Sequence, residues 1–105
     1  MRTHYDAIIL GAGPAGLTAG IYLARARLKT LIIDEGIPGG QLIMSYAVAN
    51  YPGVAETTGA DIARVMVSQA KRFGCSILSQ STITKLDISD DVKRVAVADE
   101  GVFTA

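Results

Sequence analysis

Ala7-Ile8-Ile9-Leu10-Gly11-Ala12-Gly13-Pro14-Ala15-Gly16 is the stretch whose reading decides the fold. Four apolar residues in a row predict a strand buried on both faces, and the glycines follow where that strand would pass into a helix. The spacing is G-x-G-x-x-G. Gly11 permits the tight turn, Gly13 lets backbone approach a diphosphate, and Gly16 lets the new helix pack closely on its strand. The N–H groups of the first helical turn, with about half a positive charge from the helix dipole, then face that diphosphate. Pro14 suits this first turn, where its missing N–H is not needed.

A glycine triplet alone also fits an ordinary loop. Here a strand precedes it, and a second apolar run, Lys29-Thr30-Leu31-Ile32-Ile33, leads into Asp34-Glu35. Asp34 lies 18 residues beyond Gly16. A carboxylate there can accept both hydroxyl protons of an adenosine ribose, although a solvated strand end would look the same. Of the two acids, Asp34 is preferred because it directly follows the apolar run.

The chain of 105 residues bounds the reading to one small domain, and its 50% hydrophobic content predicts a globular one. Ten basic and ten acidic residues cancel, which gives no electrostatic support to a nucleic-acid or anionic-membrane role. No apolar run approaches the roughly 20 residues of a membrane span, and residues 1–6 are polar, unlike a signal peptide. A cytoplasmic protein is expected. The single cysteine, Cys75, has no internal disulfide partner and no cluster of metal ligands around it, so it reads as a buried structural thiol. His4 reads as a surface residue.

After the turn, Leu17, Ile21, Ala24 and Leu28 recur at i, i+4, i+7 and i+11, predicting a helix that ends near Leu28. Gly13, Gly16 and Gly20 form a small-residue face beside that stripe, and Arg25, Arg27 and Lys29 gather at the C-terminal end, where the dipole favours positive charge. The segment Gly36-Ile37-Pro38-Gly39-Gly40-Gln41-Leu42 suggests backbone close to something flat or bulky, or a plain turn. Residues 43–53 show neither period, and a segment of this kind in a compact domain is more often functional than filler. Thr58, with Asp61 three residues on, has the pattern of a capping box. Ile62, Val65, Met66, Gln69, Ala70 and Phe73 share one helical face, with Met66 and Phe73 as core residues and Gly74 as the C′ residue. Residues 75–78 read as a third parallel strand. Residues 81–88, 92–98 and 102–105, joined by Ser89-Asp90-Asp91 and Asp99-Glu100-Gly101, read as an antiparallel meander. The fold class is therefore α/β: the first half of a Rossmann-like doubly wound parallel sheet, followed by a β-meander.

With these motifs in place, the chain resembles the N-terminal flavin-binding portion of the low-molecular-weight thioredoxin reductase family. Gly11-Ala12-Gly13-Pro14-Ala15-Gly16 matches its first glycine motif, Gly39-Gly40-Gln41-Leu42 its second signature, and Asn50-Tyr51-Pro52-Gly53 with Thr58-Gly59 its third. The resemblance implies FAD as cofactor. It implies that the run Gly11 to Ala15, with Gly11, Gly13, Pro14 and Ala15 foremost, holds the pyrophosphate, and Asp34 or Glu35 the adenosine ribose. Gly40, Gln41 and Leu42 would hold the ribityl and flavin side. Asn50 would lie near the isoalloxazine, or serve only as a turn residue before Pro52, and Ile83 would contact adenine through its backbone, or simply be core. It implies no catalytic residue and no metal ligand in this chain.

On this resemblance residues 1–105 form an incomplete FAD-binding domain, with a nucleotide-binding half at 1–80 and the meander at 81–105. Family members run about three times longer, with an NADPH domain and a Cys-x-x-Cys pair. This implies a fragment that holds flavin without turning over, while the parent, as a homodimer, passes electrons from NAD(P)H to a thioredoxin-like disulfide protein. Without the strand that returns beside the first one, that first strand is expected to be a bare apolar edge. The competing readings are a stand-alone flavin or nucleotide module, a related ferredoxin-NADP reductase, and an NAD enzyme.

Overall fold

A computed structural model of the chain describes residues 2–44 and 47–105. The strands β1 (Ala7–Leu10), β2 (Thr30–Ile33) and β3 (Ser76–Leu78) form a parallel sheet in the order β1-β2-β3. Helices α1 (Pro14–Arg25) and α2 (Gly59–Arg72) cover one face of it. The other face packs against an antiparallel sheet of β4 (Ile83–Asp87), β5 (Arg94–Val97) and β6 (Gly101–Thr104). The expected half of a doubly wound sheet and the meander are both present.

The centre strand explains how the layers hold together. All four residues of β2 are buried, and because side chains alternate along a strand they divide between two cores. Ile32 packs on the helix side with Leu17, Ala24, Ile62, Met66, Ala70 and Cys75. Leu31 and Ile33 pack on the other side with Tyr5, Val95, Val97 and Phe103. Strand β1 departs from the predicted burial on both faces and agrees with the other expectation, that of a bare edge. Its first three residues are only half-buried, and Leu10 is 46% exposed, because β1 is an edge strand, with β2 its only partner among the described residues. Burial on both faces belongs to β2.

Close approach of α1 to the sheet depends on its small residues. A Cβ at Gly16 would lie 1.9 Å from the carbonyl oxygen of Gly11, and one at Gly20 would lie 2.6 Å from Ile32 Cδ1 and 3.1 Å from Cys75 Sγ. Neither position can carry a side chain without moving the helix. The Cys75 thiol, buried just ahead of β3, donates to the Gly20 carbonyl at 3.1 Å, a role consistent with a structural thiol. Burial pushes its pKa above the ordinary value of 9.0.

The helix ends correct three expectations. Helix α1 stops at Arg25 rather than near Leu28, in a Schellman arrangement: the Arg27 N–H donates to the Ala24 carbonyl and the Leu28 N–H to the Leu23 carbonyl. Leu28 thus leaves the apolar stripe and is 40% exposed. Helix α2 ends in the same arrangement, with Gly74 and Cys75 donating to Lys71 and Ala70. Phe73, expected in the core, sits at the C-cap and is 42% exposed, with the Arg25 guanidinium 5.5 Å from its ring centroid. Val65 is exposed as well, so the buried face of α2 is narrower than its stripe and is completed by Ala63. At its start, Thr58 Oγ1 accepts from the Asp61 N–H at 3.2 Å. The capping box is only half made, because the Asp61 carboxylate accepts from the Thr57 hydroxyl at 3.3 Å instead.

The meander follows the predicted boundaries closely, with a register shift between Ile83 and Lys85. His4 is exposed and its Nδ1 is hydrogen-bonded with the Thr104 hydroxyl at 2.7 Å, tying the N-terminal arm to β6. Of residues 43–53, the first two close a 3₁₀ turn, Gly40–Met44, and Val48 bridges Thr57; Ser45 and Tyr46 lie outside the described residues.

Two outcomes follow. The C′ residues are both left-handed, at φ +108° for Gly74 and +66° for Arg27. Only glycine adopts that conformation without steric cost, so Arg27→Gly should stabilise the fold by about 1 kcal/mol and Gly74→Ala destabilise it by about the same amount. Thermal melts should shift by roughly 4–8 °C in opposite directions. Cys75 should resist alkylation in the native protein and react promptly once the chain is unfolded in denaturant. Since its folded pKa is raised, stability should also fall as pH rises past 9.0, where the unfolded thiol ionises and the folded one does not.

Candidate functional site

The glycine turn lies between the end of β1 and the start of α1, at the edge of a concavity of about 300 Å³ lined by Leu10, Gly11, Ile33, Asp34, Glu35, Gly36 and Ile83. Gly11 takes φ +111°, and its N–H donates to the Ile33 carbonyl at 2.7 Å, so the chain reverses while still joined to β2. Gly13 is the N-cap of α1. It has no side chain to satisfy the free N–H groups of the first turn, and Pro14 follows at the first helical position. Those donors, on Ala15 and Gly16, point out of the helix end toward whatever binds there.

Gly13 is glycine for no internal reason. Its φ of −75° and ψ of −175° suit any residue, and an added Cβ would meet nothing within 4 Å. The open space lies at a helix N-terminus, where a ligand's close approach would require it. The second glycine motif closes on the same place. The Gly39 N–H donates to the Ala12 carbonyl at 2.6 Å, and a Cβ at Gly40 would stand 3.2 Å from Gly13 Cα.

Asp34 holds this arrangement together. Its Oδ1 accepts from the Ala12 N–H and its Oδ2 from the Gly36 N–H, both at 2.8 Å. The first bond spans 22 residues and fixes the glycine turn to the end of β2; the second closes an Asx turn that starts the next loop. An ionised carboxylate has about four acceptor positions, so each oxygen retains one for a ligand hydroxyl. The loop after β3 is joined to the same segment, with Ser81 donating to the Asp34 carbonyl at 3.1 Å and Gln80 to the Gly36 carbonyl at 3.0 Å. That brings Ile83 to the concavity, where its N–H donates to Glu35 Oε2 at 3.2 Å.

Of the residues singled out from sequence, Gly11, Gly13, Asp34, Glu35 and Ile83 are gathered around the turn, with Pro14 and Ala15 opening the helix and Gly40 beside Gly13. Gln41 and Asn50 are exposed and do not line the concavity, and Leu42 packs partly into the helix-side core. Tyr51, from the third motif, lines a groove of about 440 Å³ along α2. Sequence reasoning reached Ala12 only as part of the run Gly11 to Ala15, and left Gly36 and Gly39 between a close backbone approach and a plain turn. The signal for Gly36 was available, since Asp followed two residues on by Gly is an Asx-turn pattern. Ala12 and Gly39 act through backbone groups, and no local pattern records which partner each of those groups meets.

Comparison with known proteins identifies relatives of the chain and of its fold. A Clostridium pasteurianum protein described as a 34.2 kDa protein in rubredoxin operon is 45% identical over 94 residues, covering 90% of this chain and 30% of that protein. A thioredoxin reductase of Listeria monocytogenes is 53% identical over 70 residues, covering 67% and 22% respectively. Among solved structures, a thioredoxin reductase from Gloeobacter violaceus superposes with a TM-score of 0.90 at 40% identity, covering 98% of this chain and 32% of that one. The chain thus spans less than a third of the length of these relatives. The family model for pyridine nucleotide-disulphide oxidoreductase matches residues 5–103, nearly the whole sequence, and the chain belongs to that family.

Proposed function

We propose that this chain holds the FAD of a thioredoxin reductase-like flavoprotein, with residues 1–80 as the nucleotide-binding half and 81–105 as the meander of its FAD-binding domain. The observation that carries the reading is Gly13, a glycine demanded neither by its backbone angles nor by any neighbour, at the open end of an uncapped helix. The family match and the likeness to thioredoxin reductases support FAD over other dinucleotides.

In this reading Gly11, Gly13, Pro14 and Ala15 form the diphosphate cradle, and the N–H groups of the first turn of α1 neutralise its charge. Asp34 orients the cradle and offers its remaining lone pairs to the adenosine ribose, with Glu35 beside it. The Ile83 N–H faces the adenine. Gly40, Gln41 and Leu42 serve the ribityl and flavin side, and Asn50 the neighbourhood of the isoalloxazine. The chemistry FAD supplies when bound is hydride acceptance from a nicotinamide and electron delivery to a disulfide. The NADPH site and the redox dithiol belong to other parts of the whole protein, whose partner is a thioredoxin-like disulfide protein in the cytoplasm and whose assembly is a homodimer. The chain by itself binds and does not turn over.

The test compares FAD binding by the chain and by its Gly13→Ala variant, using flavin fluorescence or calorimetry. The variant should melt at the same temperature and bind FAD about tenfold more weakly, equivalent to about 1.4 kcal/mol. Gly16→Ala, in contrast, should lower the melting temperature, because its Cβ collides with Gly11. Equal affinity in the Gly13→Ala variant, or no FAD binding by the unsubstituted chain, would overturn the assignment. NADPH-dependent disulfide reduction by the chain alone would overturn its passive role.

A further inference from the structure

Resting on the dinucleotide reading above, we propose that Glu35 is a tethered competitor for the nucleobase: its carboxylate occupies the Ile83 amide that an adenine ring must take. Ile83 opens β4 at the register shift between Ile83 and Lys85. Its N–H is not used within the sheet; it donates across the concavity to Glu35 Oε2 at 3.2 Å, a contact spanning 48 residues. Glu35 and Ile83 line the same hollow as Gly11 and Asp34, and the rest of its wall is apolar at Leu10 and Ile33. Glu35 is exposed, and its oxygen sits at the long end of the N–H···O range, so it can leave without disturbing packed neighbours.

The two acids therefore have different duties. Asp34 uses both oxygens to hold backbone of the turn, and its bonds lie inside the framework that any ligand needs. Glu35 holds a donor that a ligand wants. Adenine presents a ring nitrogen acceptor on its Watson–Crick edge, and a main-chain N–H is its natural partner. Forming that bond exchanges one acceptor for another, so the amide selects among bases while adding little to affinity. Hypoxanthine carries a proton at the same ring nitrogen. It meets the amide donor to donor, and gains nothing when Glu35 is removed.

Calorimetric titration of ADP and IDP into the wild-type chain, Glu35→Ala and Glu35→Gln separates the alternatives. Glu35→Ala should tighten ADP about fivefold, the equivalent of one net hydrogen bond, and leave IDP unimproved. Glu35→Gln keeps an acceptor oxygen in a weaker, uncharged bond and should fall between wild type and Glu35→Ala. Weaker ADP binding in Glu35→Ala would make Glu35 a ribose ligand and overturn the proposal. Equal gains for ADP and IDP, or a gain in Glu35→Gln matching that in Glu35→Ala, would reduce it to charge repulsion and overturn it too, as would no change at all. Any of these leaves the dinucleotide reading intact, whereas failure of ADP to bind any of the three proteins would remove both.

Discussion

The contact on which the rest of this structure depends is backbone against backbone, where α1 begins. Gly16 lies so close to the Gly11 carbonyl that a single methyl group would stand 1.9 Å from its oxygen, far inside van der Waals contact. Because nothing intervenes, the helix starts directly above the end of β1, and its unpaired N–H groups open on the rim of the sheet. Gly20 repeats the approach one turn later against Ile32 and Cys75, so the helix axis is fixed at two points and cannot pivot away from the turn. A helix held by larger side chains would stand farther from the sheet, and the same donors would point over the strand ends without converging with the neighbouring loops.

Around that contact, Asp34 links three segments that are distant in sequence. It accepts from the glycine turn and from the loop after β2, while its own carbonyl receives the Ser81 N–H from the loop after β3. Charge-assisted bonds to backbone N–H groups are among the stronger single hydrogen bonds in a protein. Here they anchor the glycine turn and the following loop to the end of β2. The site is thus assembled mostly from main-chain groups, with the carboxylates of Asp34 and Glu35 as its polar side chains.

The two cores serve this arrangement unequally. The helix-side core sets the height of α1 above the sheet, and the Cys75 thiol, bonded to the Gly20 carbonyl, fills the last gap beneath it. The core on the other face, built on Phe103, Val95 and Val97, holds the meander to the sheet. That attachment brings the start of β4, and with it the Ile83 amide, level with the end of β2. A layer far from the glycine turn in sequence therefore supplies one wall of the hollow.

The sequence by itself determined the order and kind of the elements, the position of the glycine turn and the acid that follows the second strand. These are local matters: runs of apolar residues, helical spacing and glycine at a turn leave their mark within a few residues. What only the tertiary structure decided was which surfaces are covered. Phe73 and Leu28 fit a helical stripe yet are largely exposed, because α2 and α1 end before reaching them, and β1 is as apolar as β2 but only half-buried. It also decided that Asp34 faces the turn while Glu35 faces Ile83, since two adjacent residues at a strand end look alike until the loop after β3 folds over them. Burial and long-range hydrogen bonding depend on the partner that arrives, and no spacing within one segment records that.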